Sequence, residues 1–382
     1  MKIASVEAFL LGYTLPEPMA NSTVVFRRRE AMLVRLQTDD GVVGWGESVF
    51  SPQAAAAYVR ARLVPLVLGQ DPAQTGRLFH AMVATVGYDR RGAAMMAVSA
   101  VDMALHDVAA RARNVPVSAL LGGRLRDRMF AYASGPFLKE GPDPYRDMAR
   151  ETDGLLRQGY RALKPRAGAD PRADGEALVA MRRQAGPDVA LMVDINQGYT
   201  ARAAIESARR MQEANLLWLE EPVPPDDVGG YRALNAAVDV AIAGGEALGS
   251  LAAFREFLVA ELFGVLQPDL GVCGGFTGMM RVAALADAFN IPVMPHVFGT
   301  VVNHYAALQI GSVLPAKRGG GPAPYPFVEV DTTHNPLLSV LGSIGPDARG
   351  ELPVPTSPGL GFELSSEQLE PWLDSHWIEQ GA

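Results

Sequence analysis

Only one cysteine, Cys273, occurs in the 382 residues. No internal disulfide can form, and a reducing compartment is expected. Basic residues are in deficit, with 34 Lys and Arg against 42 Asp and Glu and a formal net charge of −8. No basic stripe offsets that charge, so no nucleic-acid partner is expected. The one tight basic run, Arg27-Arg28-Arg29, has the size of a solvated or loop-anchoring patch. No apolar stretch reads as long enough to span a bilayer, so no membrane partner is expected. Met1-Lys2-Ile3 leads into an alternating strand pattern rather than a signal peptide. Cytoplasm is the expected location.

What is present fits a globular enzyme-sized chain. Hydrophobic residues make up 48% and charged residues 20%. The length exceeds one simple core and implies two or three domain-sized units. The first unit reads as strands followed by helices, an α+β pattern. Ile3 to Leu11 and Ala31 to Leu36 are strands, and Asp39-Asp40-Gly41 is a turn before Gly41 to Glu47. Thr14 to Arg29 reads as a polar, irregular loop. Helical periodicity covers Gln53 to Leu68, Gln74 to Ala84 and Met95 to Ala112.

After about Arg126 the rhythm changes. Short apolar strands alternate with amphipathic helices, at Phe130–Ser134, Ala162–Pro165, Ala190–Asp194, Leu217–Glu220, Ala241–Gly244, Val265–Pro268, Val293–Pro295 and Phe327–Val330. About eight βα repeats predict a TIM-type barrel with one irregular unit. From about Gly350 the tail returns to turns and short strands, expected to pack on the first unit. The expected division is 1–125, 126–345 and 346–382.

Polar residues mark the strand ends. Asp194, Glu220 and Glu246 sit at or just after three consecutive strands, at equal intervals. A parallel barrel turns every strand's C-terminal end to one face, so the three acids converge. A single acid there is usually a cap or a surface charge. Three ionised carboxylates in one place need a cation, and oxygen ligands without His or Cys favour Mg²⁺ over zinc. Asp269 and His296 end the next two strands, where a carboxylate would orient and activate an imidazole base. Lys164 and Arg166 share one face of the second strand. Lys164 is expected to have its pKa lowered by the cation and by Arg166, or to form a salt bridge to Glu221, or both.

Together these residues resemble the enolase superfamily, mandelate racemase subgroup. The matching pieces are Asp194 within Val193 to Gln197, Glu220 within Trp218-Leu219-Glu220-Glu221-Pro222, Glu246 within Gly244-Gly245-Glu246, and the Asp269/His296 pair. Gly44-Trp45-Gly46-Glu47 and Pro358-Gly359-Leu360-Gly361 extend the likeness over the whole chain. The resemblance implies an α+β capping domain over a modified TIM barrel. It implies Asp194, Glu220 and Glu246 as Mg²⁺ ligands, His296 as acid/base and Asp269 as its orienting partner. It also implies Glu329 as an acid hydrogen-bonded to the enolate. Asp269, not Lys, on strand six separates the chain from the muconate-lactonizing and dipeptide-epimerase subgroup. Family members are often symmetric, so a homo-oligomer from dimer to octamer is expected.

The family usually carries Lys-x-Lys on strand two, with the second lysine a base. Here that position is Arg166, a poor base and a good fork for an oxyanion. One-base chemistry through His296 is therefore favoured. Cys273 to Phe276, Pro295 to Thr300 and Asp331 to Pro336 resemble enzymes acting on sugar acids and aldaric acid lactones. The expected reaction is Mg²⁺-dependent α-proton abstraction from a small carboxylate, then β-elimination, by a dehydratase or lactone cycloisomerase. The alternatives are a racemase or epimerase of a 2-hydroxy acid, and a non-catalytic sugar-acid-binding homologue. Asn196, Arg28 and Tyr88 are further candidates for substrate contact. The Thr14 to Arg29 loop and the Tyr88 to Arg91 segment are expected to close over a diacid.

Overall fold

A computed structural model describes residues 1–87 and 90–381. Tyr88, a candidate substrate contact, lies outside the described residues. Three long strands open the chain: β1 (Ile3–Ala20), β2 (Val25–Thr38) and β3 (Val43–Ser48). They form an antiparallel sheet, and the C-terminal strand β13 (Leu373–Gln380) pairs with the outer edge of β1. The tail thus returns to the first unit as expected.

The expected loop from Thr14 to Arg29 is instead mostly strand. β1 and β2 pair through Thr14↔Arg28 and again at Met19↔Phe26, so only the hairpin tip is a turn. Leu15, Met19 and Ala20 are buried and anchor the hairpin while Glu17, Arg27 and Arg28 stay at its surface, and the register shifts between Thr14 and Met19.

Helices then cover the sheet: α1 (Pro52–Tyr58), α2 (Val64–Val67), α3 (Thr75–Val86), α4 (Ala93–Ala112) and α5 (Val117–Leu120), with a π-helical stretch at Val59–Leu63. α4 corrects one expectation, since it is long and apolar enough to cross a membrane. It is nevertheless buried as the central helix of this domain. Gly44 and Gly46 admit it against β3: a Cβ on Gly46 would lie 1.8 Å from the Ala100 carbonyl oxygen.

The barrel follows, with β4 (Arg128–Ser134), α6 (Met148–Arg157), β5 (Ala162–Lys164), α7 (Pro171–Ala185), β6 (Ala190–Leu191) and β7 (Val193–Asp194). It continues through α8 (Ala201–Arg210), β8 (Leu219–Glu220), α9 (Val228–Ala237), β9 (Ile242–Gly244), α10 (Leu251–Val259), β10 (Val265–Leu266), α11 (Gly275–Ala288), α12 (Val301–Val313) and β11 (Val328–Asp331). β6 and β7 are one barrel strand interrupted at Met192: β6 pairs with β5, and β7 with β8, all parallel. β11 pairs with β4 and closes the ring. Strand seven, the irregular unit, is reduced to the bridges Leu266↔Val293 and Asp269↔His296. β12 (Glu351–Pro353) adds antiparallel to β4.

Helix starts use side-chain caps that the sequence supplies: Asp170 before α7, Thr200 before α8, Asp227 before α9, Ser250 before α10 and Thr300 before α12. The barrel interior is filled by Phe130, Tyr132, Met192, Trp218, Met294 and Phe327. That packed floor leaves the polar strand ends above it as one layer.

Candidate active site

Strand register brings the acids together. Asp194 and Glu220 are paired neighbours on β7 and β8. Glu246 follows β9 after Gly245, whose φ of +121° belongs to glycine. One carboxylate oxygen from each of the three lies within 4.8 Å of the others.

Each acid is held by neighbours. Asn196 donates to Asp194 twice, from its backbone N at 2.7 Å and from Nδ2 at 2.8 Å. Asn196 thereby orients an acid, and its own Oδ1 is buried without a hydrogen-bond partner. Glu220 accepts from Lys164 Nζ at 2.5 Å, from Trp218 Nε1 at 3.0 Å and from Gln267 Nε2 at 2.6 Å. Trp218 and Gln267 were not singled out from sequence. The available signal was alternation: Trp218 and Glu220 share one strand face two residues apart.

Lys164 corrects one expectation. Its partners are Glu220 and, at 2.9 Å, Glu329, not Glu221. Glu221, just past β8 with a φ of +38°, accepts instead from Gln197 Nε2 at 2.7 Å. Among the protein's own groups the Lys164 pKa is held above its usual value, Arg166 alone not sufficing to lower it. Burial opposes the charge, but Glu220, Glu329 and Asp194 outweigh burial and Arg166.

Arg166 is buried with its guanidinium 4.5 Å from the Phe137 ring centroid. It donates to Ser134 Oγ at 3.0 Å and to the Lys164 carbonyl at 3.2 Å, and its Nε lies 3.3 Å from Asp194. That Nε makes no hydrogen bond, leaving a fixed cation with a spare donor.

Asp269 and His296 meet as the sequence implies. His296 Nδ1 lies 2.6 Å from Asp269 Oδ2, and His296 Nε2 lies 3.1 Å from Glu246 Oε2. Burial disfavours the imidazolium, but Glu246 and Asp269 outweigh burial and raise the His296 pKa to about 10. Glu329 accepts from Val297 N at 3.0 Å. Burial would raise its pKa, yet Lys164, His296 and Arg166 hold it well below the carboxylate range.

Four of the arginines in the segments expected to grip a distal carboxylate are already engaged. Arg28 pairs with Asp374 on β13, Arg27 with Glu140, Arg29 with Asp331 and Arg91 with Asp226. Arg28 lines a cavity of about 190 Å³ together with Tyr13, Phe26, Val49 and Phe298. The hairpin tip does close onto the barrel: the Ser22 hydroxyl donates to the Ile195 carbonyl, one residue past Asp194.

The donor set fits a hard divalent cation. All three groups are carboxylates. Burial, with the nearby charges of Asp194 and Glu220, lifts Glu246 to about 7. Like charges at this spacing resist joint ionisation unless a cation neutralises them.

Comparison with known proteins agrees with this geometry. Residues 5–122 match the mandelate racemase/muconate lactonizing enzyme N-terminal domain, and residues 147–369 match the enolase C-terminal domain-like family. The chain is 36% identical to the D-galactarolactone cycloisomerase of Agrobacterium fabrum strain C58, over 97% of this chain and 98% of that one. It is 32% identical to the D-gluconate dehydratase of Thermoproteus tenax, over 89% of this chain and 69% of that one. A racemase from Streptomyces coelicolor A3(2), solved with bound magnesium, superposes with a TM-score of 0.85 at 28% identity, covering 97% of this chain and 99% of that one. The two matched domains and the near full-length relatives place the chain in the mandelate racemase/muconate lactonizing enzyme family of the enolase superfamily, as an enzyme of the mandelate racemase type.

Proposed function

We propose that the protein removes the α-proton of a sugar acid or its lactone with His296 and completes a β-elimination, with Mg²⁺ held by Asp194, Glu220 and Glu246. The observation that carries this reading is the dyad: Asp269 occupies Nδ1 of His296 and leaves Nε2 facing the acid triad. When bound, Mg²⁺ supplies positive charge to the substrate carboxylate as it takes up the electrons of the broken C–H bond.

The chain's residues supply the rest. The ion pair with Glu246 that favours protonated His296 would be relieved once a cation takes up that carboxylate; His296 Nε2 then accepts the proton, and Asp269 stabilises the resulting imidazolium. Lys164 and Arg166 are fixed cations beside the triad and oppose the growing negative charge. The β C–O bond then breaks, and its oxygen leaves as water or as the ring carboxylate of a lactone. His296 returns its proton to that oxygen where water is the leaving group. The enol product tautomerises to a ketone. The Agrobacterium relative's name favours the lactone reaction, and the Thermoproteus relative's name favours dehydration.

Racemisation needs a second base on the other face of the substrate. Arg166 stands where that base would be, and guanidinium does not deprotonate. Retention at the α-carbon during exchange in D₂O separates the two readings.

His296→Asn is expected to abolish incorporation of deuterium at the α-carbon of D-galactarolactone in D₂O, followed by NMR. Mg²⁺ affinity measured by calorimetry should survive. Undiminished exchange in that variant removes His296 from the reaction.

A further inference from the structure

We propose that Glu47 and Asp102, two buried acids of the capping domain, are positioning residues that hold the Asp269–His296 dyad through the helices that follow it. The inference rests on the reading of His296 as the base.

Glu47 lies near the end of β3 and is 1% exposed. Its Oε1 accepts from Thr300 N at 2.7 Å, and its Oε2 accepts from Thr300 Oγ1 at 2.5 Å and from Asn303 N at 2.9 Å. These donors belong to the start of α12, whose first turn has no intrahelical acceptors. A carboxylate there also meets the positive end of the helix dipole. The segment from His296 to Thr300 is therefore pinned at its far end by the capping domain. Gly299 shows how close the contact is: a Cβ there would lie 2.0 Å from Glu47 Oε1.

Asp102 repeats the arrangement one βα unit earlier. It lies in the middle of α4 and is fully buried. Its Oδ2 accepts from Thr277 N at 2.9 Å and its Oδ1 from Thr277 Oγ1 at 2.7 Å. One turn before it, Ser99 Oγ accepts from Gly274 N at 2.9 Å. These groups cap α11, which begins at the end of the turn that starts at Asp269. That turn is closed by Cys273 N and Val272 N donating to the Asp269 carbonyl. A Cβ on Gly275 would lie 2.5 Å from Asp102 Oδ2.

Strand seven has little sheet pairing to hold it. Two adjacent strand ends carry the dyad, and two acids from the other domain grip the helices leaving those ends. The metal-ligand strands β7, β8 and β9 lead into α8, α9 and α10, whose caps are the local Thr200, Asp227 and Ser250. The capping domain touches the metal-ligand side through Ser22 and Arg91 as well, but among these five helices its buried carboxylates cap those on the dyad side alone, and a misplaced carboxylate there misaligns the base.

The test uses the full-length protein with Mg²⁺ present. Glu47→Gln and Asp102→Asn keep the side-chain volume and remove acceptors. Histidine ¹⁵N NMR reads the His296 ring directly, its signals assigned by their loss in His296→Asn. Exchange of D-galactarolactone in D₂O gives kcat and KM, and calorimetry gives the Mg²⁺ Kd. Glu47→Gln is expected to shift or broaden the His296 ring signals and to lower kcat about tenfold or more, with KM and Mg²⁺ Kd within about twofold of wild type. The Glu47→Gln/Thr300→Val pair should be non-additive in kcat. Should Glu47→Gln fail to fold, Thr300→Val removes the same bond from the barrel side and reads the same signals. A lowered melting temperature with unmoved His296 signals would make the acids mere domain glue and overturn the proposal. Parallel loss of Mg²⁺ affinity would overturn it as well. If wild type exchanges no proton, the substrate reading fails, and the ring signals still decide the positioning role.

Discussion

His304 lies on α12, 1% exposed, and its Nδ1 has no hydrogen-bond partner. Burial disfavours its charged form and lowers its pKa to about 4. An unfolded histidine titrates near 6.5. Between those values the unfolded chain binds more protons, so stability is full above about pH 6.5 and falls as pH drops towards 4. At pH 5 the loss from this group is about 2 kcal/mol. Urea unfolding at pH 7.5 and pH 5 is expected to show a larger loss in wild type than in His304→Gln. Equal losses would assign the acid sensitivity elsewhere. The same low polarity governs the site, where Glu220 and Glu329 flank Lys164 and favour its charged form against burial. That pairing was not readable from the chain. The spacing of Lys164 and Arg166 suggested mutual repulsion, while the deciding carboxylate, Glu329, comes from a strand far along the sequence.

Elements were legible where one periodicity ruled. The barrel strands and their helices fall close to where alternating apolar runs place them. α4 is helical as its pattern requires, and its burial on all sides explains why it also reads as membrane-length. The Thr14 to Arg29 segment was not legible, because its strand pairing is made by register with its own hairpin partner across a charged stretch. Strand seven is short because its residues serve the dyad more than the sheet: His296 bridges Asp269 and then the chain turns into the α12 cap. The β3–α4 contact is the element most sensitive to volume. Gly46→Ala forces a Cβ to within 1.8 Å of the Ala100 oxygen, and a cost of about 1–3 kcal/mol or more is expected. Gly76 on α3 has nothing within 4 Å of such a Cβ, so Gly76→Ala should leave melting unchanged or raise it. Equal effects from the two substitutions would contradict the packing account.

At the scale of the molecule, two domains share the work of one site. The barrel presents three acids, two cations and a dyad on one rim, and the capping domain supplies Glu47, Asp102 and the Ser22 contact beside Asp194. The acids and the dyad were readable because barrel topology converts strand ends into neighbours. The links between domains were not, since Glu47 and Thr300 stand far apart in sequence and no periodicity joins them. The central claim is that Asp194, Glu220 and Glu246 hold one divalent cation in front of His296. Anomalous diffraction from crystals grown with Mn²⁺ tests it most directly. The account predicts a single strong peak bounded by the three carboxylates on the His296 side of the ring. A peak elsewhere, or none at saturating Mn²⁺, would contradict it.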